Sequence, residues 1–367
     1  MLSQTEEKHG EVSMKLTLTK RFQPSLHTAI SLSVVLAALF GGSEAFACAS
    51  CGCTLSTDWG SQGVSTKSGW SGDLSYTSIN QNQTIYGNSK PSAAFVQSLY
   101  AAGQEVETAT LTQTTTVSIN YNGETGGVSL QLPYIHRTHG TNGVTADTTG
   151  AGADYGSGYS ESTASGIGDI RLIGHYNGFS DDKTTGIIFG VKLPTGDYNA
   201  NFTAGASAGQ PLDPGLQIGT GSTDYILGAY TSGTISTYGW FVQGTVQHAL
   251  TGLVNEAGGT SYRPGDAYLL NTGIRYAGFG SLVSPMLQLN LVHREYDQGL
   301  NGGVNPDVFT GSPISGGNLA YLSPGLSVRL GGGTSVYGFV QVPVYQNVGS
   351  LQLVPKYIAS VGVHQNF

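Results

Sequence analysis

The stretch YIASVGVHQNF, residues 357–367, reads as a β-strand that runs to the last residue of the sequence. Alternate positions back from Phe367 are Gln365, Val363, Val361, Ala359 and Tyr357. The intervening set is Asn366, His364, Gly362, Ser360 and Ile358, mostly small or polar. A period of two with one apolar face is the signature of a strand buried on one side only. A closing strand of this kind needs a partner. The stretch GWSGDLSYTSI at residues 69–79 alternates in the same way and is the expected one.

Ten further alternating stretches lie between these two. They are residues 112–121, 127–139, 168–177, 186–196, 222–232, 238–250, 266–276, 282–296, 318–330 and 334–345. Several reach the roughly 9–11 residues a tilted membrane-crossing strand requires. The connectors after every second strand are short: NGETG, GFSDDKTT, GTIST, AGFGS and GGG. Those between are long and rich in Gly, Ser, Asp and Pro, except the modest 346–354. Short turns at one end and long loops at the other are the rhythm of an outer-membrane barrel. A soluble β-sandwich also alternates, but nothing in it enforces that rhythm. The expected fold is all-β: a transmembrane antiparallel up-and-down barrel of about 12 strands over residues 69–367, in the bacterial outer membrane.

Composition agrees. Charged residues are 10% of the chain and glycines number 55, far from the quarter charged that soluble domains carry. Residues 1–47 read as a signal peptide. KLTLTKRF supplies the positive region, AISLSVVLAALFGG the apolar core and AFA the cleavage site, with Met14 as an alternative start. Residues 48–68 then form a periplasmic segment holding Cys48, Cys51 and Cys53, the only cysteines. In an oxidising compartment a disulfide or redox use ranks first, a soft-metal site second and a lipid anchor third.

In a barrel the apolar rows meet lipid: Val128 to Tyr134, Ile187 to Leu193 and Leu322 to Leu330, taken alternately. The bases fall on the other parity. Arg137, Arg171, Lys192, Arg275, Arg294, Arg329 and Lys356 are the candidate pore-lining residues. They either bias a pore towards anions or pair with Glu295, Asp169 and Asp224 inside a packed barrel. Twelve strands lie between the filled eight-stranded barrels and the open sixteen-stranded ones, so a narrow pore is expected. AAFVQSLYAAGQ (93–104) in the first long connector is a candidate short helix or constriction.

No catalytic constellation emerges. GASAG (205–209) fits G-x-S-x-G but lacks the strand–turn–helix setting, so Ser207 is a poor nucleophile. Alternation puts His136 and His139 on opposite faces. No stretch calls for a cofactor, and no basic, aromatic-interleaved segment calls for nucleic acid.

GIGDIRLIGHY (166–176), GVKLPTGD (190–197), GTGSTDYILGAY (219–230), YLSPGLSVRL (321–330) and the closing strand together resemble a known family. It is that of the outer-membrane β-barrels assigned to the MetA pathway of phenol degradation. The resemblance runs from about Thr112 to Phe367. It implies an outer-membrane protein, not an enzyme, that passes small organic solutes, aromatic ones among them. It also implies that Phe367 is the assembly signal read by the barrel-assembly machinery. The Cys segment departs from that pattern and leaves a redox- or metal-linked barrel, or a structural or adhesive one, as alternatives. The partners expected are outer-membrane lipid, that machinery and a small solute; the sequence does not give an oligomeric state.

Overall fold

The computed structural model describes residues 68–145, 154–179, 181–255, 260–280, 282–300, 307–311 and 313–367. The signal segment and Cys48, Cys51 and Cys53 lie outside the described residues. The wall is built from β1 (Gly69–Gly87), β2 (Val106–Asn122), β3 (Gly126–Thr145), β5 (Ile170–Tyr176) and β6 (Thr185–Leu193). It continues with β8 (Asp224–Ile235), β9 (Tyr238–Ala249), β12 (Ala267–Tyr276), β13 (Val283–Arg294), β15 (Gly317–Gly331) and β16 (Thr334–Asn366). Each pairs antiparallel with its neighbours, and β1 pairs with both β2 and β16, so the sheet closes on itself.

Eleven elements form the ring, but the last carries two staves. β16 pairs with β15 through residues 334–348 and with β1 through residues 348–366. Between them the chain reverses at Gly349–Ser350, where Ser350 takes φ 52°. The two arms then lie side by side: the Asn366 amide donates to Gly333 O at 3.0 Å and Gln346 Nε2 to Pro355 O at 3.1 Å. All twelve expected strands are therefore present. Closure leaves no edge unpaired in lipid, which is the condition for a sheet to cross a bilayer.

The seam forms where the closing strand was expected to meet the first, with Leu74 opposite Val363, Thr77 opposite Ser360 and Ile79 opposite Ile358. Gln365, which interrupts the apolar row, is a staple. Its Nε2 donates to Gly332 O at 3.0 Å, and its Oε1 accepts from Thr334 Oγ1, binding the β15–β16 turn.

Outward residues are exposed and apolar on strand after strand: Leu130, Tyr134, Phe189, Leu227, Leu326 and Val342 among them. Below them at the short-turn end, aromatic rings stand in pairs. Trp70–Tyr121, Tyr176–Phe179, Tyr238–Tyr276 and Tyr276–Phe279 have centroids 5.0–5.1 Å apart. This is the aromatic girdle that barrels set at a membrane interface, flanking an apolar band about 25 Å tall. Among the described residues no helix is long and apolar enough to cross a membrane.

Beyond the band the sheet continues at the long-loop end. β4 (Asp154–Ile167) extends the hairpin with β3, pairing Tyr134 with Ile167 through Thr145 with Asp154, and β7 (Ala204–Gly205) adds to its far edge. Alternation does not reveal β4, because DYGSGYSESTASGI is small or polar on both faces. A strand standing clear of the bilayer has no apolar side to keep. A separate three-stranded sheet of β10 (Leu253–Asn255), β11 (Thr260–Arg263) and β14 (Gln298–Leu300) joins two other long loops.

Candidate functional site

The inner face is mostly polar, interrupted by buried apolar clusters around Ile79, Tyr321 and Ile358 and around Met286, Tyr337 and Phe339. On β1 alone Ser71, Asp73, Ser75, Thr77 and Gln81 are buried, broken only by Ile79. Inward aromatics lie flat along the wall over glycines of the neighbouring strand. A Cβ on Gly325 would stand 2.2 Å from Phe339 Cδ1, and one on Gly362 2.4 Å from the Tyr337 ring. Glycine is what lets each ring lie back instead of crossing the bore.

The densest polar cluster surrounds Lys192. Cross-strand register puts Arg171 opposite Lys192 and Lys192 opposite Asp224. Asp169 enters from the bend between β4 and β5. Lys192 Nζ lies 3.2 Å from Asp169 Oδ2 and 3.1 Å from Asp224 Oδ2, donates to Ser222 Oγ at 3.0 Å, and also donates to Thr220 Oγ1. Asp169 further accepts from the Thr220 amide and the Gly196 amide, both at 3.0 Å. Two cations face two carboxylates here, so the cluster contributes no net positive charge.

Through Thr220 and Ser222 the cluster holds the connector between β6 and β8, the third long loop. Its tail, Leu216 to Gly219, is buried without being a strand. It folds over the inner face of β3: inward Arg137 donates through Nη1 to Gln217 O at 2.8 Å, and the inward His139 ring stands 6.3 Å from that of Phe202. Gln217 in turn donates to Ala200 O at 3.0 Å and Leu212 O at 2.9 Å, and accepts from the Ala200 amide. The backbones of Gly196 and Gly219 approach so closely that a Cβ on Gly196 would sit 2.6 Å from Gly219 Cα, which only glycine allows. Irregular backbone at this depth is tolerable because it is buried in protein.

The first-loop candidate does form a helix, α1 (Ala93–Ala101), capped by Ser92, whose Oγ accepts from the Phe95 amide at 3.1 Å. Its buried Leu99 packs with Val106 and Leu351 beside the sheet. The contacts that reach Arg137 and His139 on the inner face of β3 come from the third long loop. Its apolar residues Leu212, Leu216 and Ile218, set in a Gly- and Pro-rich connector, were the available signal.

The seven bases separate. Lys192 and Arg171 belong to the cluster, and Arg137 holds the loop. Arg294 pairs with Asp297 at 3.4 Å. Lys356 sits at a β-bulge, between Pro355 opposite Gln81 and Tyr357 opposite Asn80, and is exposed, off the buried inner row. Arg275 and Arg329 remain near one another towards the short-turn end. Glu295, expected as a partner for bases, accepts from Tyr268 OH at 3.4 Å.

Sequence reading missed a second inner pair, Asp73 and His364, which bridge the seam at 2.8 Å with Asn120 donating to the same carboxylate oxygen. His136 and His139 stand on opposite faces, hydrogen-bonded to Ser165 and Thr110 respectively. Ser207 lies in a turn, its amide donating to Ser160 Oγ at 2.9 Å. Phe367 is exposed and its amide donates to Trp70 O at 3.0 Å. Among the described residues no three His, Cys, Asp or Glu side chains come together to hold a metal ion.

No family model and no curated protein matches the sequence. Solved structures do. The COG4313 outer membrane channel from Pseudomonas putida F1 superposes with a TM-score of 0.52 at 12% identity, covering 83% of this chain and 97% of that one. The transport unit of the autotransporter AIDA-I from Escherichia coli gives 0.44 at 12% identity, over 95% and 100%. The Ralstonia pickettii toluene transporter TbuX gives 0.43 at 11% identity, over 83% and 91%. At such identity the likeness to the first of these speaks for the fold alone. By fold, the chain is a bacterial outer-membrane β-barrel.

Proposed function

We propose that the protein is a passive channel, not an enzyme, that admits small organic solutes across the outer membrane. One observation carries the reading. Around the ring, inward polar atoms are buried from bulk solvent yet have no protein partner: Gln81 Oε1 on β1, Ser129 Oγ on β3, Gln243 Oε1 on β9 and Gln341 Nε2 on β16. Buried polar groups are costly unless hydrogen-bonded, so water or a polar solute must satisfy them. A barrel serving only as a scaffold would fill that space with apolar side chains. The third long loop is the constriction and limits passage to small molecules. The resemblance to MetA-pathway barrels, and the crystallised P. putida channel, support transport as the class of activity and aromatic compounds as one class of solute.

Proteoliposome swelling and planar-bilayer recording test this. Small solutes are expected to enter and oligosaccharides to be excluded, with single-channel steps well below those of a sixteen-stranded porin. Absence of both swelling and current sinks the channel. Phe367 is proposed as the assembly signal. Its deletion is expected to lower the fraction of chain that migrates as a folded, heat-modifiable barrel, while leaving the conductance of molecules that do fold unchanged. An undiminished folded fraction would remove that role.

A further inference from the structure

We infer that Arg275 and Arg329 form a binding step for small organic carboxylates at the short-turn end of the lumen. The inference deepens the channel reading and rests on it for its biological meaning, but the site is defined by chemistry of its own. Among the described residues, neither guanidinium makes a hydrogen bond or an ion pair to a protein group. Arg275 Nε is buried without a partner. Arg275 stands opposite Met286 and Met286 opposite Gly325, and Arg329 lies four residues along β15 from Gly325 on the same face, so two like charges share this end of the lumen. Asp73, an inner carboxylate at this end, is already engaged by His364 at 2.8 Å and Asn120 at 3.3 Å. Two neighbouring cations that no protein anion neutralises repel one another, and a mobile anion relieves that cost.

The surroundings say which anion. Arg275 stands directly opposite Met286 in register, on the same face. Met286 packs with Tyr337 and Phe339 in one buried cluster. Both rings lie back over Gly362 and Gly325, against the wall, as a shelf. On the other side Arg275 itself lies along the wall, its Nε 3.8 Å from where a Gly239 Cβ would be. A guanidinium offers a planar fork matched to a carboxylate, and Met and aromatic side chains offer an apolar surface beside it. That combination fits an organic acid, with its carboxylate on the arginines and its hydrocarbon on the shelf. Chloride or inorganic phosphate would use the charges alone.

Calorimetric titration of the detergent-solubilised full barrel reads binding without requiring conduction. Benzoate is the probe, with acetate and inorganic phosphate as comparisons. Benzoate is expected to bind at least tenfold more tightly than either. Arg275→Gln and Arg329→Gln are each expected to weaken it about tenfold, as for loss of one charge-assisted contact. Lys90→Gln, an exposed loop change, should alter nothing. Heat-modifiable mobility checks that each variant is folded. Arg275→Lys and Arg329→Lys keep the charge without the fork and should recover part of the affinity. No benzoate binding, or binding unchanged in the double Gln variant, overturns the site. Acetate or phosphate binding as tightly as benzoate overturns the organic-acid assignment. Intact benzoate binding in a protein that neither swells liposomes nor conducts would instead sink the channel and leave the site standing.

Discussion

Replacing Lys192 with methionine is expected to cost about 3–5 kcal/mol of barrel stability, the usual penalty for removing one partner of a buried ion pair. Lys192 is 3% exposed, and the side chains of Asp169 and Asp224 are 7% and 2% exposed. Without the ammonium, two carboxylates face each other in a space water hardly reaches. Arg171, opposite Lys192 on β5, compensates one of them in part, which places the loss towards the lower end of the range. The same substitution removes the ammonium that bridges Thr220 and Ser222, and leaves the third long loop tethered on the β6 side only through Asp169 and Asp224, two unneutralised carboxylates, while Arg137 still holds Gln217. Ion current through the variant is therefore expected to rise, or to flicker between two levels, where the parent is steady. Urea unfolding followed by heat-modifiable mobility measures the first effect and bilayer recording the second. The triple variant Lys192→Met, Asp169→Asn, Asp224→Asn separates causes. It removes all three charges and should regain most of the stability but not the loop's anchorage. A Lys192→Met barrel as stable as the parent would show that the cluster is not what holds this end of the wall.

How much of this could be read from the sequence follows from what lipid demands. Inside the apolar band every strand must keep one greasy face, so a period of two survives in each. All twelve staves, including the two arms of β16, were legible on that ground. Outside the band the demand lapses. β4 carries no apolar alternation because its buried face is lined by small polar residues, Ser160 and Ser162, and its other face is exposed, and α1 was legible only as a candidate because nine residues carry little periodicity. The pairing of the last strand with the first was legible, because closure demands it. Register was not legible between β5, β6 and β8, and there a difference of one residue decides whether Lys192 faces Asp224 or faces an open lumen. The basic rows were thus visible, but which bases were neutralised was not. Of the seven, Arg275 and Arg329 are the two for which a solute-facing role is proposed.

The loop contacts left only a faint trace in sequence, the apolar residues of the third long loop, and they set the last expectation, a pH-dependent outer mouth. Glu105 follows α1 at the start of β2, and its Cγ lies 3.7 Å from where a Cβ on Gly143 of β3 would be. Burial, and then the neighbouring carboxylate Asp213 of the third long loop, push its carboxyl up from 4.5 to about 7, against an opposing hydrogen bond from Thr141. In the unfolded chain the group titrates near its ordinary value, so between about pH 4.5 and pH 7 the folded state binds more protons than the unfolded one. Stability must then fall as pH rises through that window. It is fullest below pH 4.5 and the loss is complete above pH 7. For a partly exposed group, screening reduces the effect to about 2 kcal/mol. The physical event is repulsion between the first and third long loops once both carboxylates are charged, so the mouth should loosen at alkaline pH and tighten in mild acid. Glu105→Gln abolishes the charge while keeping the side chain's shape. It should lose this part of the pH dependence, so that its stability falls less than the parent's between pH 5 and pH 8. Unfolding midpoints of the two proteins at pH 5, 6, 7 and 8 decide the matter. Parallel pH profiles in parent and variant would mean that Glu105 does not couple the two loops.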